Sequence, residues 1–395
     1  MVFQHKTTDE PYIVPFFQPI ISLQNQRIIG YESLGRKLID NKPMSLGPFF
    51  HNRAIDENDH LYIDRLLREK AIARLAEMPD GCMLFVNIRP SWIVRANNSD
   101  SPLPTLQLID KYNVDPGRIV IEITEDESQG TAQELSDIVM SYRRHGCKIA
   151  IDDVGSGFSN FDRIALIRPD IIKVDLKLMR KSRIHEGYQA LLRSYSILAE
   201  QIGASLLMEG IETERELCQA LSIGARYVQG FLFASASASL HPADRFADML
   251  REQLSLYAGE QLAKYQELLA VNHLFDSLIS YDLKANQSEE ADRYIEQLLG
   301  GVPQRCIRIY LCSEDGVQVS SNYCREGDGS WLQDSSFRGA NWLWRPYFIP
   351  NIVRMQNHPT PTLSQIYTDL ETSKIMHTYS GSIGNGLYLF FDLVV

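Results

Sequence analysis

The sequence predicts an α/β chain in two parts. Strand–helix units come first, arranged as a barrel or a doubly wound sheet, and a long helix and a smaller α+β domain follow. Three observations carry this. Apolar strands alternate with helical patterns from Phe16 to Phe233. Polar or ionisable residues stand in or at the ends of successive strands, at Asn87, Glu122, Asp152, Lys173, Glu209 and Gln229, in steps of 35, 30, 21, 36 and 20 residues. Beyond His241 the alternation gives way to a long helical pattern and then to hairpins. A chain of 395 residues exceeds one ordinary domain and can include a barrel of roughly 250 residues.

In order, Phe16 to Ile20 and Arg27 to Leu34 read as strands, the second carrying Glu32, followed by Leu34 and Arg36. Asn58 to Met78 has helical period, with Leu61, Leu66, Leu67 and Ile72 on one stripe. Met83 to Val86 is a short strand ending in Asn87, and Thr105 to Tyr112 is a helix. Arg118 to Thr124 is a strand containing Glu122, and Thr131 to His145 is a helix stopped by Gly146. Ile149 to Ile151 is a buried strand that delivers Asp152 and Asp153 to a glycine-rich turn. Ile171 to Asp175 is a strand whose period of two puts Lys173 and Asp175 on one face. Tyr188 to Ile202 is a helix, Ala204 to Met208 a strand delivering Glu209, and Glu214 to Leu221 a short helix. Ala225 to Phe233 reads as a final strand carrying Gln229.

Adjacent carboxylates repel unless a positive charge lies between them. Asp152 and Asp153 alone fit either a divalent-cation site or a solvated turn that caps the next helix. The other strand ends favour the first. In a barrel the carboxyl ends of the strands meet around one mouth, so these residues would converge there.

Composition removes other classes. A net charge of −11 argues against coating a nucleic-acid backbone. The cysteines form no C-x-x-C pair, so no zinc or redox motif is present. No charged-then-apolar leader and no apolar run of membrane-spanning length are visible, so a soluble cytoplasmic protein is expected.

The motifs together carry a resemblance. They are YESLGR at Tyr31–Arg36, VN at Val86–Asn87, EITE at Glu122–Glu125, DDVGSGFSN at Asp152–Asn160, IKVD at Ile172–Asp175, MEGIET at Met208–Thr213 and QGF at Gln229–Phe231. In order and spacing they resemble the EAL-domain cyclic di-GMP phosphodiesterases. The departures are Ser33 within the signature tripeptide and Val154 where an aromatic usually follows the paired aspartates. Val154 lies in the loop of those aspartates, where it is expected to loosen them.

The resemblance implies a modified (β/α)₈ barrel, hydrolysis of cyclic di-GMP to linear pGpG, two Mg²⁺ or Mn²⁺ ions, and a homodimer built partly on the helix after the central loop. It implies that Glu32, Asn87, Glu122 and Asp152 hold one ion. Asp153, a bridging Asp152 and Glu209 would serve the second. Lys173 would orient or deprotonate the attacking water, and Gln229 would support a water or the substrate. Leu34 and Arg36 would contact substrate, Arg36 at a phosphate. Glu125 would anchor the central loop, and Asp175 and Glu212 would shape the site.

The chemistry is consistent with that set. Two ions about 4 Å apart stabilise the charge that develops in phosphodiester hydrolysis. Mg²⁺ and Mn²⁺ prefer hard oxygen ligands, and carboxylates with Asn and Gln amides supply them. No histidine falls at a matched strand end, which disfavours zinc. A buried Lys173 would be pushed down in pKa by burial and up by its carboxylate neighbours, so water-orienting work suits it better than base work.

The boundaries expected are a barrel over residues 1–240, a helical linker over 241–285 and the smaller domain over 286–395. Pro242 to about Ser280 reads as a long helix, and a second helix ends at Leu299. Strands are expected at Cys306–Leu311, Val317–Tyr323, Ile375–Ser382 and Gly386–Val394. This texture resembles a PAS- or Cache-type sensor domain with a small ligand of unknown identity. Trp342, Trp344, Arg345 and Tyr347, with Asp369, line a pocket there or form a core cluster. Two rival functions remain, a non-hydrolytic cyclic di-GMP receptor and another metal-dependent barrel hydrolase.

Overall fold

The computed structural model describes residues 12–89, 103–124, 131–155, 161–276, 278, 288–357 and 360–395. The chain divides into two compact units, Met1–Tyr257 and Ala258–Val395.

The strands of the first unit are β1 (Ile13–Ser22), β2 (Arg27–Ile39), β3 (Lys42–Ser45), β4 (Met83–Ile88), β5 (Ile119–Thr124), β6 (Lys148–Val154), β7 (Ile171–Val174), β8 (Ser205–Met208) and β9 (Tyr227–Val228). They form a nine-stranded sheet that closes through β1 and β2, with β3 outside the ring on β2. Pairing is parallel from β2 round to β9, and β1 runs antiparallel to both its neighbours. That reversed strand is the modification of the eight-fold barrel, and the architecture is the one expected from the sequence.

The helices are α1 (Gly47–His51), α2 (Glu57–Leu75), α3 (Pro104–Lys111), α4 (Ala132–Arg144), α5 (Phe161–Ile167), α6 (Leu176–Ser182), α7 (Glu186–Ile202) and α8 (Glu214–Ser222). Their ends follow from local sequence. Thr131 with Glu134, and Thr213 with Glu216, form capping boxes at α4 and α8. Gly203, at φ +74°, closes α7.

The strands have two working faces. Leu84, Val86, Ile121, Ile149, Ile172 and Leu206 belong to the main core, which they share with buried residues of α2, α3, α4 and α7. Ile20, Met83, Phe85, Val120, Ala150, Ile171 and Leu207 form a separate cluster that fills the barrel interior. Residues two positions beyond that plug stand one layer higher on the same side. These are Asn87, Glu122, Asp152, Lys173 and Glu209, so the plug is the floor of a polar site. Gly30 on β2 has no room for a side chain, since a Cβ there would meet Met83 O at 2.5 Å. Glu32 follows it by the same two steps.

Two strand expectations are corrected. The final apolar run holds a strand only over Tyr227–Val228. Gly230 then turns the chain at φ +157°, where a Cβ would come within 2.1 Å of Ile211 O. β7 stops at Val174, because the Asp175 side chain leaves the strand pattern and caps α6 by accepting from Lys177 N at 2.6 Å.

The long helix is α9 (Ala247–Asp276). The second unit contains α10 (Ser288–Leu298) and the strands β10 (Cys306–Ser313), β11 (Asn322–Arg325), β12 (Trp331–Asp334), β13 (Thr362–Leu363), β14 (Tyr367–Thr368), β15 (Ile375–Gly384) and β16 (Leu387–Val394). All pair antiparallel, in the order β12-β11-β10-β16-β15-β13 with β14 on β15. Phe275 packs on Phe391 and Tyr379 at centroid distances of 4.6 and 5.2 Å. α11 (Phe348–Asn357) and the short strands β12 to β14 were not read from the sequence.

Candidate active site

Lys173 stands at the centre of the barrel mouth, fully buried. Its Nζ lies 2.6 Å from Glu122 Oε1, 2.6 Å from Glu209 Oε1, 3.1 Å from Asp152 Oδ1 and 3.8 Å from Glu32 Oε1. Asn87 Nδ2 donates to Glu32 Oε1 at 3.2 Å and to Glu122 Oε2 at 3.1 Å. Gln229 Nε2 donates to Glu32 Oε2 at 2.7 Å and to Gln18 Oε1 at 3.2 Å. Polar residues spread over two hundred positions therefore meet in one network.

Asp153 joins through a bulge. The register between β6 and β7 shifts between Ile151 and Val154, and Asp153 adopts φ +58°. A bulge re-aims side chains, and aspartate tolerates the left-handed region better than most residues. Gly155, at φ +89°, follows, where a Cβ would meet Leu178 Cδ2 at 2.5 Å. Val154 itself is fully buried and pairs with Val174, so an aliphatic side chain fits this position as core.

Charge at the mouth is unbalanced. Burial pushes Glu122 and Glu209 well above the usual carboxylate range, against the pull of Lys173. Burial, and then the charge of Asp152, push Asp153 up to about 6. Burial alone would lower Lys173, but Asp152, Glu122, Glu209 and Glu32 outweigh it and hold the ammonium well above its ordinary value.

The donor set fits hard divalent cations. Glu32, Glu122 and Asp152 form one group, and Asp152, Asp153 and Glu209 a second, with ligand atoms in each within 4.8 Å of one another. Asp152 is common to both. Gln229 Oε1 is buried with no hydrogen-bond partner among the described residues. Buried carboxylates in excess of cations, all-oxygen donors and an unpartnered amide oxygen suit a hard divalent cation.

A cleft of about 400 Å³ opens beside the cluster, lined by Glu32, Asn87, Asp152 and Asp153 at one part and by Leu34, Arg36, His51, Asp64, Arg68 and Arg89 elsewhere. Arg36 is half-buried, and Nη1 donates to Gly35 O at 3.0 Å. Sequence reading missed Gln18, Asp64, Arg68 and Arg89. Gln18 lies on β1 opposite Glu32, and Arg89 lies two residues past Asn87, a spacing that was available as a signal. Asp64 and Arg68, one turn apart on α2, gave none.

Other expected residues lie elsewhere. Glu212 is exposed and pairs with Arg180 Nη2 at 2.7 Å. Asp175 serves as the α6 cap. Glu125 lies outside the described residues. In the second unit, Arg345 stacks over Trp344 at 4.4 Å and Tyr367 at 5.1 Å, and Tyr347 stacks on Tyr367 at 5.4 Å. Trp342 Nε1 donates to Gln318 Oε1 at 2.8 Å. Asp369 is engaged by Arg308 and Thr372. Among the described residues no helix is long and apolar enough to cross a membrane.

Comparison with known proteins agrees with this geometry. Residues 6–236 match the EAL domain, and residues 241–395 match the EAL-domain associated signalling protein domain. The chain is 33% identical over 384 residues to YkuI of Bacillus subtilis, an uncharacterized EAL-domain containing protein, covering 96% of this chain and 94% of YkuI. The crystal structure of YkuI in complex with substrate c-di-GMP and calcium matches with a TM-score of 0.87 at 32% identity, covering 98% of each chain. RocR of Pseudomonas aeruginosa, a cyclic di-GMP phosphodiesterase, is 27% identical over 239 residues, 58% of each protein. BlrP1 of Klebsiella pneumoniae, solved as a manganese and cyclic di-GMP complex, matches with a TM-score of 0.51 at 28% identity, covering 58% of this chain and 57% of that one. The chain thus belongs to the EAL domain family, with an EAL-domain associated signalling protein domain following its barrel.

Proposed function

We propose that the chain is a metal-dependent phosphodiesterase that hydrolyses one phosphodiester of cyclic di-GMP to linear pGpG. The observation that carries this reading is the convergence of two carboxylate groups, sharing Asp152, on Lys173 at the barrel mouth. Glu32, Asn87, Glu122 and Asp152 would hold one Mg²⁺ or Mn²⁺, and Asp152, Asp153 and Glu209 the other. When bound, the ions supply Lewis-acid stabilisation of the phosphorane-like charge and lower the pKa of the attacking water.

The chain's own residues do the rest. Lys173, at the centre of the carboxylates, would donate to and orient the attacking water. Asn87 would turn its Oδ1 toward an ion, since Nδ2 serves Glu32 and Glu122. Gln229 offers its unpartnered Oε1 to a water or substrate, and Arg36 clamps a phosphate with Leu34 beside it. Arg180 ties Glu212 to Glu216, holding the loop after β8 that carries Glu209. Asp175 holds the start of α6, and Glu125 retains its proposed place as anchor of the central loop.

The YkuI complex with cyclic di-GMP and calcium, and the similarity to RocR, a cyclic di-GMP phosphodiesterase, support the substrate, and the calcium supports a cation at the site. The barrel acts as the enzyme and the second domain as its regulator. A homodimer through α5 is supported by Phe161 and Leu166, which are 40% and 46% exposed. The test is hydrolysis by the full chain with Mg²⁺ or Mn²⁺, beside Glu32→Ala. Metal-dependent pGpG formation, lost in the variant, supports the reading. Binding without turnover makes the protein a receptor, and neither binding nor turnover contradicts the reading altogether.

A further inference from the structure

We propose that Gln18 is a positioning residue whose place is set by the chain segment leading to α9, so that a shift of that segment is felt at Glu32 and Gln229. This rests on the reading of the barrel as a metal-dependent phosphodiesterase and adds a route for its regulation. The segment runs from Ala234 to Phe246, directly before the first turn of α9. It holds neither helix nor strand beyond an isolated bridge between Ser237 and Phe17. Its first half reads ASASAS over Ala234–Ser239. Side chains that small bury little apolar surface, so main-chain hydrogen bonds do most of the holding there.

The anchors lie on β1 and β2. Phe17 N donates to Ser237 O at 2.8 Å, and Ser237 N donates to Phe17 O at 3.1 Å. The buried Tyr31 donates from its hydroxyl to His241 O and accepts from His241 N, both at 3.0 Å. Ile28 N donates to Ala243 O at 2.8 Å. Two of these anchors adjoin the mouth. Phe17 precedes Gln18 and Tyr31 precedes Glu32, and Gln18 and Glu32 are cross-strand partners. Strand alternation puts Phe17 and Tyr31 in the main core and their neighbours on the opposite side.

Hydrogen-bond polarity carries the link inward. Ala234 O can only accept, so Gln18 turns its Nε2 to it, at 3.2 Å. That leaves Gln18 Oε1 to accept from Gln229 Nε2 at 3.2 Å. The same Nε2 donates to Glu32 Oε2 at 2.7 Å, which uses both of its hydrogens. Gln229 Oε1 is the atom left over, buried and without a partner among the described residues. If Ala234 moved, Gln18 could turn over and set its amide nitrogen against that of Gln229. Gln229 and the Glu32 carboxylate would then lose their fixed orientation. Coupling of this kind is reciprocal, so a cation that orders Glu32 also steadies the segment.

The experiment follows backbone hydrogen exchange in the full chain with and without Mn²⁺, and Mn²⁺ affinity by electron paramagnetic resonance, beside Gln18→Leu and Tyr31→Phe. Leu can make neither bond of Gln18, and Phe keeps the ring of Tyr31 without its hydroxyl. In the wild-type chain, saturating Mn²⁺ should slow exchange of the Ser237 and His241 amides about 5-fold or more, the lower end of a usual coupling. Gln18→Leu should bind Mn²⁺ about 10–100-fold more weakly, the range for a partner that orients a ligand. At saturation it should no longer slow those amides. Tyr31→Phe should weaken Mn²⁺ about 5-fold, the size of one neutral hydrogen bond. The double variant should be no weaker than Gln18→Leu, because both substitutions cut one path. Mn²⁺ binding that leaves both wild-type amides unchanged would overturn the proposal and needs no variant to show it. Wild-type Mn²⁺ affinity in Gln18→Leu, or losses that multiply in the double variant, would overturn it too. A wild-type chain that binds no Mn²⁺ would overturn the functional reading itself, which keeps the two failures apart.

Discussion

The barrel mouth and the polar cluster in the second unit both bury charge, and they do it differently. At the mouth one ammonium faces four carboxylates, and burial drives Glu122 and Glu209 well above the usual carboxylate range. In the second unit Arg308 meets Asp369 and Asp392 at 3.2 Å and Glu371 at 2.6 Å. There the neighbours complete the network. Thr372 donates to Asp369 from its N and Oγ1, and Thr378 Oγ1 and Tyr367 OH donate to Asp392. Burial opposes ionisation of Asp369, yet hydrogen bonds from Arg308 and Thr372 hold it below the usual range. Burial does push Asp392 up, with Arg308 opposing. Both clusters are buried ionic networks. The second supplies most of its own counter-charge and reads as structure, whereas the first lacks positive charge and reads as a site for cations.

Substitutions can break or sharpen this contrast. The largest effect is expected at Arg308→Met, which leaves Asp392 without its cation and Asp369 with only Arg345 at 3.9 Å. It should cost about 3–5 kcal/mol, the usual size for breaking a buried pair from one side, read from the urea midpoint. A cost under about 1 kcal/mol would mean that the cluster is not a structural network. Next is Glu122→Gln. It should lower metal-dependent turnover at least about 100-fold, beyond the effect of a supporting partner. Stability in metal-free buffer should stay within about 1 kcal/mol of wild type, because the amide oxygen still accepts from Lys173 while one of the crowded negative charges is removed. Strong destabilisation there would make the mouth resemble the second cluster. The smallest effect is Asp175→Ala. Loss of the α6 cap should cost about 1 kcal/mol and lower Tm by about 2–4 °C, with kcat nearly unchanged. A large fall in kcat would return Asp175 to the active site.

Much of the mouth could be read from the sequence because its rule is local. Asn87, Glu122, Asp152, Lys173 and Glu209 each follow an inward apolar residue by two positions, and strand alternation makes that visible. Asp153 required the bulge that its neighbour's register creates, and the adjacent pair of aspartates was the only sign of it. Gln229 was found, but the strand assigned around it was too long. Gly230 turns there because of Ile211, a contact that no local pattern contains. Asp64 and Arg68 were missed because α2 helps to build that wall of the cleft, and helix periodicity does not say what a helix faces, whereas Arg89 stood two residues past Asn87 and was overlooked. Asp175 was assigned to the wrong element, although an aspartate directly before a helical segment is an ordinary cap signal. In the second unit the two strands expected at Ile375–Ser382 and Gly386–Val394 were legible, and between them Gly384, Asn385 and Gly386 all have positive φ. The two-residue strands β13 and β14 are too short to show any period.

The most direct test of the central claim is a Mn²⁺ titration of the full metal-free chain, followed by calorimetry or electron paramagnetic resonance, with Asp152→Asn in parallel. Two ions should bind per chain, and loss of the carboxylate common to both groups should weaken both. No Mn²⁺ binding by the wild-type chain, or unchanged binding in Asp152→Asn, would contradict the account.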